Sequence, residues 1–96
     1  MFVVIISFPP IKAGKEAEFL HWFASSNQTF SKFDGFLSRR LLKPLEKGTY
    51  AAVVEFETRA AFQDMHSSPV HALAGAEVMP LFDGKPTPTF YEVISG

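Results

Sequence analysis

The stretch FVVIISF, Phe2–Phe8, constrains the fold more than any other part of the chain. Its β-branched and aromatic residues, stopped by Pro9-Pro10, read as a strand. A strand in an antiparallel sheet covered on one side alternates apolar and polar residues. This one does not, because Phe2, Val4, Ile6 and Phe8 fall on one face and Val3 and Ile5 on the other. FLSRRLLK (Phe36–Lys43) and TYAAVVEFE (Thr49–Glu57) read as two more strands with the same habit. By strict alternation Phe36 and Leu42 share one face of the second strand, and Leu37 and Leu41 the other. In the third strand Tyr50, Val54 and Phe56 oppose Ala51 and Val53. Only Arg39, Arg40, Glu55, Glu57 and Glu92 interrupt the apolar pattern of the strands. Both faces of the sheet therefore need a cover.

Helices supply one cover. The segment KAGKEAEFLHWFASSNQTFSKF brings Phe19, Leu20, Phe23 and Phe30 near one helical face, which predicts a helix from about Lys15 to Ser31. Asp34-Gly35 and Lys47-Gly48 are turn signals, the second closing a hairpin between strands two and three. Thr58 is placed to cap a short helix, RAAFQDMH, and a further helical stretch starts near Ser68 and runs toward Val78. PLFDGKPTP reads as a loop and TFYEVIS (Thr89–Ser95) as the last strand. The order is β-α-β-β-α-β in a single domain spanning residues 1–96. It predicts an α+β, ferredoxin-like antiparallel sheet with helices on one face. A second copy of the same sheet is the simplest cover for the bare face, giving a two-fold homodimer.

Composition narrows the function. Nearly half of the 96 residues are apolar and eleven are Phe. A chain this short buries only roughly 60–65% of its unfolded surface. The apolar load thus implies a greasy cavity or surface hidden against a partner. A net charge of −1, with acids and bases interspersed, gives no footprint for nucleic acid or anionic membrane. The absence of cysteine excludes disulfides, thiolate catalysis and cysteine-based zinc sites. The longest apolar run, Phe2–Ile6, is too short to span a bilayer or to form a signal segment, so a soluble cytoplasmic protein is expected.

Four stretches, in order, resemble the antibiotic biosynthesis monooxygenase family. They are IKAGKEAEFL, FDGFLSRRLL, EFETRAAFQDMHSSPVHAL and PLFDGKPTPTFYEVI. The resemblance implies a dimeric α+β barrel, formed by the two sheets of a homodimer, and a cavity between sheet and helices in each subunit. Members of the family include oxygenases that act on aromatic quinol or anthrone substrates without a cofactor. Others bind and degrade haem, using an Asn, a Trp and a His. The resemblance aligns Ser7, Phe56 and Gly75 with those three positions. Since a haem site needs its axial ligand and its distal donor together, haem degradation is the less favoured expectation.

The segment MHSSPVHALAG carries two of the three histidines, His66 and His71. On one continuous helix a spacing of five places them about 140° apart, which does not suit a shared metal. Ser68 followed by Pro69 instead signals an N-cap and first helical residue, which puts His66 at the end of one helix and His71 in the first turn of the next. The helix dipole there disfavours imidazolium, and a neutral imidazole is a ready base near pH 7. Oxygenation without a cofactor needs such a base in an apolar, water-poor pocket. The expected site is His71 as catalytic base, with Ser7, Trp22, Tyr50, Phe56 and His66 against a small apolar aromatic or quinol-type metabolite. No metal and no cofactor are expected. A structural role remains open for His66, as a cation at a helix end, and for Trp22 and Tyr50, as packed rings. His21 falls on the polar side of the first helix. The strand charges suggest Arg–Glu pairs across the hairpin or between subunits, with Arg40 as a less favoured anchor for an anionic substrate. A binding protein without catalysis is the alternative function.

Overall fold

Two central strands with apolar residues on both faces organise the chain. The computed structural model describes Met1–Gly96. In chain order it contains β1 (Phe2–Ser7), α1 (Glu16–Phe30), β2 (Phe36–Leu42), β3 (Ala51–Phe56), α2 (Arg59–His66), α3 (Pro69–Val78) and β4 (Thr87–Glu92). A single 3-10 turn, Met79–Leu81, follows α3. The sheet is antiparallel throughout, in the order β2-β3-β1-β4. This is the α+β, ferredoxin-like arrangement expected from the element order.

The register decides what faces the helices. Val4 of β1 lies between Val54 of β3 and Phe90 of β4. Phe2, Val4 and Phe8 join Tyr50, Ala52, Val54 and Phe56 on the buried side. From α1, Phe19, Phe23, Ser26 and Phe30 come down onto them, a spacing of three and four that makes one helical stripe. Leu20, expected on the same stripe, is instead 41% exposed. It lies one residue past Phe19, about 100° around the helix. Phe62 and Met65 of α2, Ala74 and Val78 of α3, and Leu81 and Phe82 after it complete the core.

Strict alternation fails in β2. Phe36 pairs with Phe56, but Ser38 pairs with Glu55, so Leu37 is an extra residue in a β-bulge. Beyond it the facing of every side chain is reversed. Arg39, opposite Val54, is turned under the helices, together with Phe36 and Leu41. Leu42 goes to the bare face and Leu37 is exposed. The assignment of Phe36 with Leu42, and of Leu37 with Leu41, is thereby corrected. The bulge follows Gly35, whose φ of +81° suits glycine. A Cβ at Gly35 would sit 2.6 Å from the Cβ of Ala61, so glycine also admits α2 close to this turn.

Other boundaries differ from expectation, and β3 starts at Ala51 rather than Thr49, which leaves Tyr50 just before the strand. β4 starts at Thr87 rather than Thr89, because Thr87 and Pro88 already pair with Ser7 and Ile6. It ends at Glu92, opposite Phe2, where β1 itself begins. Pro88 is tolerated because β4 is an edge strand. The first part of PLFDGKPTP is not irregular, since Pro80 and Leu81 belong to the 3-10 turn and Phe82 bridges Ile11.

The other face of the sheet carries Val3, Ile5, Ala51 and Val53, all half-buried, flanked by exposed Leu42 and Tyr91. Arg40 and Glu55 make the cross-hairpin ion pair on this side, at 3.5 Å, and Ser38 donates to Glu55 at 2.6 Å. No helix is long and apolar enough to cross a membrane.

Candidate functional site

The space between the sheet and the helices is not completely filled. A cavity of about 310 Å³ lies there, walled by β1, β2, β3 and β4 on one side and by α1, α2 and α3 on the other. This is at the low end of the roughly 300–1,000 Å³ typical of small-molecule sites. A larger depression of about 570 Å³ runs between α1 and α3, but it is an open groove on the outer surface. The cavity under the helices is the one that holds ionisable groups, with Arg39 buried, His71 half-buried and His66 exposed at its edge.

The loop between α2 and α3 builds its reactive edge. α2 is capped by Thr58, whose Oγ1 accepts from the Ala61 N–H at 3.1 Å. It stops at His66, and the chain turns through Ser67 and Ser68. The Ser68 hydroxyl then accepts from the His71 backbone N–H at 3.2 Å, with Pro69 as the first residue of α3. The two histidines therefore lie on separate helices, as the Ser-Pro signal requires. The break also brings them together. Their ring centroids are 4.3 Å apart, with planes inclined at 47°. No third His, Asp or Glu joins them.

The imidazoles belong to a ladder of rings along the cavity. His66 stacks on Phe62 at 5.4 Å, and His71 stacks on Phe30 at 5.6 Å. Beyond Phe30 the guanidinium of Arg39 lies 4.9 Å from that ring, 4.1 Å from Phe23 and 5.4 Å from Trp22. Such cation–π contacts strengthen as they are desolvated. Arg39 is 7% exposed and has no carboxylate partner. Its Nη1 donates to the Phe23 carbonyl at 3.2 Å and to the Ser26 hydroxyl at 3.0 Å. Burial lowers its pKa to about 10, which leaves it charged at neutral pH.

The same environment sets the state of His71. Burial, then the neighbouring His66 and Arg39, lower its pKa to about 4. A neutral imidazole was expected from the helix dipole, but removal from water is the larger cause. Trp22 walls the cavity, and its indole N–H donates to the Ala74 carbonyl at 2.9 Å, fastening α1 to α3. Gly75 is also on the wall, and a Cβ there would meet nothing within 4 Å.

The cavity thus assembles His71, His66 and Trp22 from the expected set. Ser7, Tyr50 and Phe56 are not on its wall. Ser7 is exposed at the end of β1, on the bare face opposite Ala51. Tyr50 packs on Phe19 at 5.3 Å, and burial together with the Glu16 carboxylate raises its phenol pKa. Phe56 is fully buried between Phe36 and Phe62. Arg39 was placed among strand charges awaiting a glutamate, and it is instead a cavity residue. Two adjacent arginines in one strand were the available signal, since neighbouring side chains point to opposite faces.

Comparison with known proteins fits this geometry. The family model for antibiotic biosynthesis monooxygenases matches residues 1–76. The chain belongs to the antibiotic biosynthesis monooxygenase family. Among solved structures, SnoaB, a cofactor-independent oxygenase from Streptomyces nogalater, is similar with a TM-score of 0.78 and 19% identity, over 99% of this chain and 92% of that one. The haem degrader MhuD from Mycobacterium tuberculosis, solved with two haems in its active site, has a TM-score of 0.78 and 28% identity, over 100% and 98%. A conserved protein from Methanosarcina mazei shares the fold at a TM-score of 0.82 and 14% identity, over 96% and 92%. A search among curated protein sequences finds no match. This member of the family is monooxygenase-like in fold, with its cavity lined by Phe, Trp and His.

The depressed pKa of His71 has a consequence for stability. The unfolded chain takes up a proton at this side chain near pH 6.5, whereas the folded chain does so only near pH 4. Unfolding therefore binds a proton in that window, and stability falls as pH falls through it. Replacing His71 by Gln should flatten this part of the profile, so that the urea midpoint of the variant drops less than that of the wild type between pH 6.5 and about 5. Parallel profiles for the two proteins would contradict the assignment.

Proposed function

We propose that the protein is a cofactor-independent monooxygenase for a small aromatic or quinol-type metabolite, with His71 as catalytic base. The observation that carries this reading is the half-buried His71 imidazole at the wall of a ring-lined cavity, where burial favours its neutral form. No hydrogen bond within the protein involves the His71 ring, and the bond from His71 to the Ser68 hydroxyl is made by the backbone N–H, so the ring nitrogens are free to meet a substrate.

The chemistry needs little else from the protein. His71 removes a proton from an acidic C–H or phenolic O–H, leaving an electron-rich carbanion or enolate. That anion passes an electron to O₂, and the resulting radical pair combines at carbon to give a peroxide. Loss of water then converts a CH₂ group to C=O. One oxygen atom enters the product and the other leaves as water, with the proton returned from His71. All four electrons come from the substrate carbon, so no external reductant is required. The cavity wall holds the ring against Phe30 and Trp22, which orients the reacting carbon.

Oxygen consumption measured across a panel of quinols and anthrones tests this reading. Turnover is expected with at least one substrate, with kcat/KM lowered by roughly 10²–10⁴-fold in His71→Ala. Absence of turnover across the panel, or full activity in the variant, would sink it. A ligand that copurifies and is never turned over would favour a binding protein instead. The likeness to MhuD makes haem the natural control. Gly75 offers no ligand at the position the family resemblance assigns to the axial histidine, so no saturable one-to-one Soret signal is expected.

The same reading includes a homodimer. Val3, Ile5, Ala51 and Val53 leave a continuous apolar band on the side of the sheet away from the helices, and a second sheet of the same kind would cover it. Sedimentation velocity at micromolar concentration should give the mass of a dimer, twice 10.7 kDa. A stable 10.7 kDa species would contradict it.

A further inference from the structure

The ionisable side chains that face the cavity are Arg39 from β2, His66 from α2 and His71 from α3, and all three are bases. The walls supplied by α1, β1, β3 and β4 are uncharged there, and no Asp or Glu faces the space from any element. The arrangement is unusual for so small a core, since arginine is almost never buried without an anionic partner. The protein satisfies part of that charge with the Phe23 carbonyl, the Ser26 hydroxyl and three aromatic faces. These use Nη1 alone, and a guanidinium has five N–H donors. Nε and Nη2 make no hydrogen bond within the protein and keep contact with the solvent-accessible space.

We propose that the cavity selects an anionic aromatic acid, whose carboxylate or phenolate pairs with Arg39 while its ring lies along Phe30 and His71. The proposal rests on reading this cavity as the substrate site, and it names the class of substrate. The charge match supplies what an all-apolar ligand would leave undone, a counter-ion for a desolvated cation. Arg39 is also placed to stabilise negative charge that develops when a proton leaves the substrate, the role of a fixed cation in a dry site.

The anion also acts on His71. In the empty cavity His66 and Arg39 add to the effect of burial on the imidazole. An anion seated between them offsets that repulsion and makes His71 more basic. Binding should then be accompanied by proton uptake, and affinity should rise as pH is lowered through the His71 pKa of the complex, levelling off near the free value of about 4. A weak base in the empty site becomes a stronger one when its substrate is present.

The test is calorimetric binding of 2-naphthoate and of methyl 2-naphthoate, which share the ring system and differ in charge. The wild type is expected to bind the acid at least about tenfold more tightly at pH 7, and to take up protons on binding near pH 6 in buffers of different ionisation enthalpy. Arg39→Met should remove the preference for the acid while leaving ester binding intact, and Arg39→Lys should keep part of it. If Arg39→Met does not fold, the wild-type pair of ligands still decides. Equal affinities in the wild type, a tighter ester, binding of neither probe, or an equal loss of both ligands in folded Arg39→Met would overturn the proposal. Because the readout is binding, the two readings fail separately. Preference for the acid with no oxygen consumption overturns only the oxygenase. Turnover without any preference for an anion overturns only the charge selection.

Discussion

Arg39 carries a full positive charge into the layer between the sheet and α1, and the protein provides no carboxylate to meet it. The cation is held by a helix carbonyl, a serine hydroxyl and the faces of Trp22, Phe23 and Phe30. This packing ties β2 to α1 across the core. It also fixes the orientation of Phe30, the ring on which His71 stacks. The charge reaches His71 as a repulsion that adds to burial. One side chain thus joins the packing of the fold to the electrostatics of the cavity. A neutral residue of the same length would keep the layers together and leave the imidazole closer to its ordinary basicity.

The second determinant is local. Ser67 and Ser68 end one helix and start another within the space of a single turn, and Pro69 fixes the new helix at its first residue. Had the helix continued, His66 and His71 would have pointed far apart. The break reverses this and sets their rings 4.3 Å from each other. The neighbouring His66 disfavours protonation of His71, which is useful in a site that needs a neutral base. The small side chains at Ala74 and Gly75, a turn further along α3, leave open the space that those rings border.

Much of the fold was legible because its signals are local. The apolar strands, the Asp34-Gly35 turn and the Ser68-Pro69 helix start each follow from a few adjacent residues, and their order fixes the ferredoxin-like topology. The bulge at Leu37 was not legible, because a period of two carries no mark of an inserted residue. Every facing in β2 after it was therefore reversed, and Arg39 was missed as a cavity group. The candidate site was legible at His71, His66 and Trp22, which lie on helix segments with clear caps or faces. Ser7 and Phe56 entered by alignment with the family rather than by geometry, and the sheet register puts one on the bare face and the other inside the packed core. Tyr50 sits beyond the end of the cavity against Phe19. Proximity of the two histidines was hidden because it depends on how α2 and α3 pack, which no spacing in the sequence encodes.

The account stands on one physical claim, that burial and the neighbouring His66 and Arg39 keep His71 neutral. Titration of the imidazole carbon and nitrogen resonances of His71 by NMR, with His71→Gln used for assignment, measures this directly. A midpoint near pH 4 in the free protein is the expected result. A midpoint near 6.5 would mean that water reaches the ring and that neither His66 nor Arg39 acts on it, and the account would fail.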